Sequence, residues 1–113
     1  MTRLATVLLV VGLLSAGCSS ETESSAKPVA TDHVELPKSY RFEPAAIVIA
    51  AGTTVTWTNR DDFPHNVHLL DGSERMVELP LDGEGTLMFE EAGQFDYECS
   101  LHPQQMQGSV TVE

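Results

Sequence analysis

Basic residues are scarce in this chain. Six lysines and arginines stand against 17 aspartates and glutamates, a formal net charge of −11 at pH 7. A chain without a basic face has nothing to hold a phosphate backbone, which excludes a nucleic-acid partner. The same shortage excludes attachment to anionic lipid through a polybasic segment. Cysteine is scarcer still: Cys18 and Cys99 are the only two. Long apolar runs are absent as well. The run at residues 4–14 (LATVLLVVGLL) is shorter than the roughly 20 residues that a membrane-spanning helix needs. After residue 30 no stretch has helical periodicity, so a helical bundle is excluded too.

The apolar run follows Arg3 and precedes Ser15-Ala16-Gly17-Cys18. A positive start, a short apolar stretch and small residues read as an export signal. The ending SAGC resembles the lipobox of bacterial lipoproteins, in which the cysteine is lipidated and becomes the first residue of the mature chain. The expected organisation is a lipoprotein signal peptide over 1–17, a lipidated Cys18 with a flexible tether over 18–31, and one domain over 32–113. The tether sequence SSETESSAKPVAT is small, polar and aperiodic, and about 12 such residues reach roughly 20 Å. Export would put the domain on the periplasmic or extracellular face of a membrane. Without Arg3, five basic residues (Lys27, Lys38, Arg41, Arg60, Arg75) face all 17 acidic ones, a net charge near −12. Such a charge favours solubility and steers basic partners.

If Cys18 carries lipid, Cys99 is left as a lone thiol in an oxidising compartment, where disulfides are the rule. Metal ligation is one explanation and pairing between chains is another. The surroundings of Cys99 bear on the choice. Within "YECSLHPQQMQG" (residues 97–108) stand a thiolate (Cys99), an imidazole (His102) and a thioether (Met106). Hard cations such as calcium prefer oxygen donors, and a thioether is a poor ligand for structural zinc. Two histidines, one cysteine and a distant axial methionine form the blue-copper electron-transfer pattern. The further histidine is available in "DFPHNVH" (residues 62–68). His65 follows Pro64 at the start of an alternating run, on the same face as Val67 and Leu69, while Asn66, His68 and Leu70 take the other. His65 is the candidate ligand. His68 and His33 read as solvated.

Short period-two runs recur through the domain, separated by Ala51-Gly52, Asp61-Asp62, Asp71-Gly72, Asp82-Gly83 and Ala92-Gly93. This is an all-β pattern of about seven or eight strands, a sandwich or barrel. Alternation places Ile47, Ile49, Val55, Trp57, Phe89, Phe95, Val110 and Val112 in the core.

Residues 40–112 resemble the small blue copper proteins, the cupredoxins, and within them most closely amicyanin and plastocyanin. "FEPAAIVIAAGTTVTWTNRDDFPHNVH" is similar to the first half of that family, and "GQFDYECSLHP" followed by "MQGSVTV" to the second. The resemblance implies a Greek-key β-sandwich with one type 1 copper at one end. It implies His65, Cys99 and His102 as equatorial ligands and Met106 as the axial one. It further implies a hydrogen bond from Asn66 toward the cysteine loop near Ser100, and stiffening of that loop by Pro103. One departure is the spacing Cys-x2-His-x3-Met, intermediate between amicyanin-like and plastocyanin-like loops, which leaves Gln105 as an alternative axial donor.

The function implied is one-electron transfer by a membrane-tethered monomer that is not an enzyme. Its redox partners would be proteins such as a c-type cytochrome, an oxidase or a reductase. A copper carrier or storage module without a redox role is the alternative. The His-x-His motifs of multicopper oxidases and the second nearby cysteine of a dinuclear copper centre are both missing.

Overall fold

A computed structural model describes residues 27–113. The expected signal segment, Cys18 and most of the expected tether lie outside the described residues. Among the described residues there is no α-helix, and the elements are β1 (Val29–Ala30), β2 (His33–Leu36), β3 (Ala46–Ile49), β4 (Thr53–Asn59), β5 (His65–Leu69), β6 (Met76–Leu79), β7 (Glu84–Phe89), β8 (Gly93–Glu98) and β9 (Gln107–Val112). Nine strands exceed the expected seven or eight. The addition is β1, in the stretch read as tether. Val29 and Ala30 pair in parallel with Ile47 and Val48, so the chain joins the sheet before residue 32.

Two sheets face one another. One has six strands in the order β1-β3-β9-β8-β5-β6, the other three in the order β2-β4-β7. The β2–β4 and β3–β9 pairs are parallel, whereas β4–β7, β5–β6, β5–β8 and β8–β9 are antiparallel. The core is made by alternate residues from both sheets, as a half-buried strand requires. Val34 and Leu36, Ile47 and Ile49, Val55 and Trp57, Val67 and Leu69, and Val110 and Val112 are all buried. Phe95 departs from the expectation. It is only partly buried and packs against the core from its margin, its ring 5.4 Å from that of Phe89.

Two glycines are required by the geometry. Gly52 turns the chain between β3 and β4 at φ +89°, where an L side chain is strained. Gly108 lies against the Tyr97 ring, and a Cβ there would overlap it.

The strands align their ends. Leu36 ends β2 opposite Asn59, which ends β4. His65 begins β5 opposite Leu79, which ends β6. Glu98 ends β8 opposite Gln107, which begins β9. The residues just beyond these ends share one end of the sandwich, and the chemistry-bearing side chains gather there.

Candidate metal centre

Cys99 and Met106 occupy the next rung after Glu98 and Gln107. The Cys99 N–H donates to the Met106 carbonyl at 3.0 Å. Residues 100–105 are therefore a closed excursion from the β8–β9 ladder. Two turns shape it: His102 N–H donates to the Cys99 carbonyl at 3.1 Å, and Gln105 and Met106 N–H both donate to the His102 carbonyl, at 3.1 and 3.0 Å. The extra residue in the Cys-x2-His-x3-Met spacing is absorbed inside these turns, where the ladder is not disturbed. Met106 is fully buried, whereas Gln105 is exposed.

His65 arrives from the loop after β4. Asn59 organises that loop from within. Its side-chain amide donates to the carbonyls of Phe63 at 2.8 Å and Leu79 at 3.0 Å, and its oxygen accepts from Asp61 N–H at 2.9 Å. A buried amide with this many partners fixes a turn, because each lost bond would leave a buried polar group unpaired.

The imidazoles meet the thiol through their Nδ1 atoms. Cys99 Sγ lies 3.8 Å from His65 Nδ1 and 3.9 Å from His102 Nδ1, and the three donor atoms all lie within 4.8 Å of one another. A metal about 2.0 Å from nitrogen and about 2.3 Å from sulfur, with its bonds about 120° apart, separates those atoms by about 3.7 Å. The spacing fits a metal among three donors. The donor set of two imidazoles, a thiol and a buried thioether is soft to borderline, as copper prefers.

On the far side of His65, Nε2 lies 2.8 Å from Asp61 Oδ2, both side chains being buried. Burial pushes the Asp61 carboxyl up, but hydrogen bonds from His65 and from the backbone of Asp62 and Tyr40 outweigh it, leaving it below the usual carboxylate range. The carboxylate accepts a hydrogen bond from Nε2–H, which leaves the unprotonated Nδ1, with its lone pair, turned toward the sulfur. Cys99, His65 and Asp61 thus stand in the order nucleophile, base and orienting acid. Nucleophilic chemistry is nevertheless a poor fit. Cys99 has no exposed surface, a reactive cysteine needs partial access, and a second imidazole shares its sulfur.

Asn66 and Ser100 make two reciprocal bonds between β5 and the cysteine loop. Asn66 Nδ2 donates to Ser100 Oγ at 2.7 Å, and Ser100 N–H donates to Asn66 Oδ1 at 2.8 Å. Pro103 is exposed, and its carbonyl accepts from Gln107 Nε2 at 3.1 Å. His68 lies away from the centre, 3.5 Å from Glu74, and His33 is beside Glu35 at 3.8 Å. Two contributors escaped the sequence reading. Asp61 entered it only as one of two adjacent aspartates, although Asn59-x-Asp61 is a recognisable side-chain turn. Tyr40 lies in a loop without periodicity, and its ring is 4.7 Å from that of His102 and 5.8 Å from that of His65.

Residues 32–113 match the model of the family described as copper binding proteins, plastocyanin/azurin family. The chain is 35% identical to the amicyanin of Paracoccus denitrificans over 121 residues, covering 96% of this chain and 91% of the relative. The crystal structure of amicyanin from Paracoccus versutus superposes with a TM-score of 0.65 at 33% identity, covering 80% of this chain and 94% of that one. A purple cupredoxin from Nitrosopumilus maritimus gives a TM-score of 0.62 at 32% identity, covering 72% and 98%.

Proposed function

The chain belongs to the plastocyanin/azurin family of copper-binding proteins, and on that footing we propose that it carries single electrons on one copper ion while tethered to a membrane. His65, Cys99 and His102 are the equatorial ligands in this reading, and Met106 is the axial one. The observation that carries it is the convergence of His65, Cys99 and His102 donors within 4.8 Å, at an end of the sandwich held by backbone ladders. The burial of Met106, against the exposure of Gln105, supports the thioether as the fourth donor.

When bound, copper supplies a Cu(I)/Cu(II) couple. The protein supplies positioning. Asp61 holds the His65 ring by its far nitrogen, and Asn66 and Ser100 hold the loop that bears Cys99. Four protein ligands leave no open position for a substrate, so the reading assigns carriage and not catalysis. Of the four, only His102 is not buried, which makes its ring edge the contact point for a partner. The exposed Leu101 and Pro103 flank it in the chain, and the exposed Phe63 joins it through the Tyr40 ring, which contacts both. An apolar rim of this kind suits brief contact with a redox protein such as a c-type cytochrome, an oxidase or a reductase.

Export and anchoring rest on the sequence of residues 1–18. No helix among the described residues is long and apolar enough to cross a membrane. Lipid on Cys18 would hold the domain at the periplasmic or extracellular face, and stable anchoring takes more than one chain. Mass spectrometry of the mature protein should find Cys18 modified at its new N-terminus; an unmodified Cys18 thiol on soluble mature protein would reject the anchor.

The test of the copper reading is the absorption spectrum of copper-loaded protein. An intense visible band that disappears on reduction is expected from a thiolate ligand, and Cys99→Ser should lose both the band and the reversible couple while remaining folded. Retention of both in the serine variant would remove Cys99 from the site. A midpoint potential and fast exchange with a cytochrome would separate an electron carrier from a copper store.

A further inference from the structure

The two histidines are held in different ways. His65 is buried, and a buried carboxylate takes its far nitrogen. Among the described residues, His102 has no such anchor, and its one side-chain polar contact is Nδ1 to the Cys99 sulfur. It also sits partly exposed, in a loop. Two rings pack against it: the other ligand candidate, His65, at 5.4 Å and 65°, and, closer, Tyr40, whose ring lies 4.7 Å from the His102 ring at 61° between planes.

Tyr40 is placed with care. Ser39 and Tyr40 have φ of +90° and +56°, left-handed conformations that are unfavourable for a non-glycine residue. Surrounding structure has to impose such a conformation, and it does so from both ends. Glu35 and Glu43 clamp the base of the loop with backbone bonds of 2.9 and 2.8 Å. Phe42 is buried against the Tyr97 ring at 4.8 Å. At the tip, Lys38 Nζ lies 3.1 Å from Asp62. The Tyr40 ring stacks on Phe63 at 5.3 Å and 22°, and meets His65 edge-on at 5.8 Å and 84°. One ring therefore touches both imidazoles and the loop that delivers the first of them.

We propose that Tyr40 is a positioning residue for His102, its ring holding the solvent-side imidazole in the orientation that Asp61 imposes on the buried one. The role is assigned to the ring and not to the hydroxyl, because the contacts with His102, His65 and Phe63 are all ring contacts. The inference rests on the reading of the site as a copper centre.

Three variants separate the ring from its alternatives. Tyr40→Phe keeps the ring, Tyr40→Leu keeps apolar bulk, and Tyr40→Gly removes the ring while favouring the left-handed backbone. Each is first shown to be folded by thermal unfolding of the metal-free protein. In that metal-free protein, NMR relaxation and ring-proton shifts of His102 should be unchanged in Tyr40→Phe. They should report a mobile, unshielded imidazole in Tyr40→Leu and Tyr40→Gly. After loading with copper, loss of metal to a chelator should be about 2- to 10-fold faster in the leucine and glycine variants, the factor that one aromatic pair is worth, and wild-type-like in Tyr40→Phe. An equally ordered His102 in Tyr40→Gly would overturn the proposal, as would a Tyr40→Phe variant as impaired as Tyr40→Leu. A wild-type protein that binds copper without a thiolate band would instead defeat the copper reading, and the metal-free NMR comparison would still decide the role of Tyr40.

Discussion

Asn66→Ala removes both bonds that tie β5 to the cysteine loop, and Ser100→Ala removes only one. The distinction follows from which atoms take part. Asn66 donates to the Ser100 hydroxyl at 2.7 Å and accepts from the Ser100 backbone N–H at 2.8 Å. Alanine at 100 keeps the backbone donor; alanine at 66 keeps neither partner. A net hydrogen bond is worth about 1 kcal/mol, so Asn66→Ala should cost about 2 kcal/mol and Ser100→Ala about 1 kcal/mol. Asn66 is buried while Ser100 is exposed, so water can restore part of what the serine loses but little of what the asparagine loses. In a domain of this size, 1 kcal/mol moves the melting temperature by about 4–8 °C. The expected losses are then about 8–16 °C and about 4–8 °C. Thermal unfolding of metal-free protein, followed by circular dichroism, measures both without the contribution of a bound ion. Adding Ser100→Ala to the Asn66→Ala background should cost almost nothing, a coupling of about 1 kcal/mol in the double-mutant cycle. In the copper-loaded protein, loss of such a supporting contact should weaken metal binding about 10–100-fold. Equal melting losses for the two single variants, or fully additive ones, would refute the reciprocal pair as the source of the stability.

Two other predictions concern Tyr97 and the axial position. Burial pushes the Tyr97 hydroxyl up to about 12; the folded protein thus keeps a proton that the unfolded chain loses near pH 10. Stability is therefore at its full value below pH 10 and falls by about 3 kcal/mol as pH rises toward 12, because in that window only the unfolded chain ionises this tyrosine. Denaturant unfolding between pH 9 and 12 should show that decline in the wild type and a flatter profile in Tyr97→Phe. At pH 7 that variant should be no less stable, because the hydroxyl has no partner; an unchanged alkaline decline in it would assign the effect elsewhere. Met106→Leu should raise the reduction potential of the copper-loaded protein and alter its spectrum, since losing the thioether donor destabilises Cu(II). Gln105→Ala should do little, and the reverse pattern would make Gln105 the axial ligand.

The strands were legible because each has one face against the other sheet, and alternation records that directly. Ile47 and Ile49, Val55 and Trp57, and Val110 and Val112 follow the rule and are buried. Phe95 also alternates, yet it stays half-exposed, since alternation tells which face a residue takes and not how far the opposite sheet extends over it. Asn66 errs in the other direction. By alternation it belongs to the outer face of β5, and it is buried all the same, because the cysteine loop folds over that face and meets it with Ser100. The centre at Cys99, His102 and Met106 could be found from spacing, since all three sit on one short loop between paired strands. Tyr40 could not. Its contact with His102 spans 62 positions, and its loop has no period that predicts where its tip will lie. Asp61 was half-visible: the turn chemistry of Asn59 and Asp61 is local, whereas the approach of the carboxylate to Nε2 depends on His65 beginning a strand.

The two anchoring modes have different physical consequences. A buried carboxylate on His65 fixes that ring by charge and direction, and a charge-assisted hydrogen bond is costly to break away from water. It also places a negative charge one imidazole away from the metal position, where low local dielectric strengthens its effect. That charge favours the more positive oxidation state of a bound copper. Aromatic packing on His102 brings no net charge and leaves the ring edge open. A ring held by packing can therefore stay at the surface, where the same carboxylate pairing would be solvated and weakened. The division matches the exposure of the two residues: charge where water is excluded, and an uncharged aromatic contact where the ring reaches the surface.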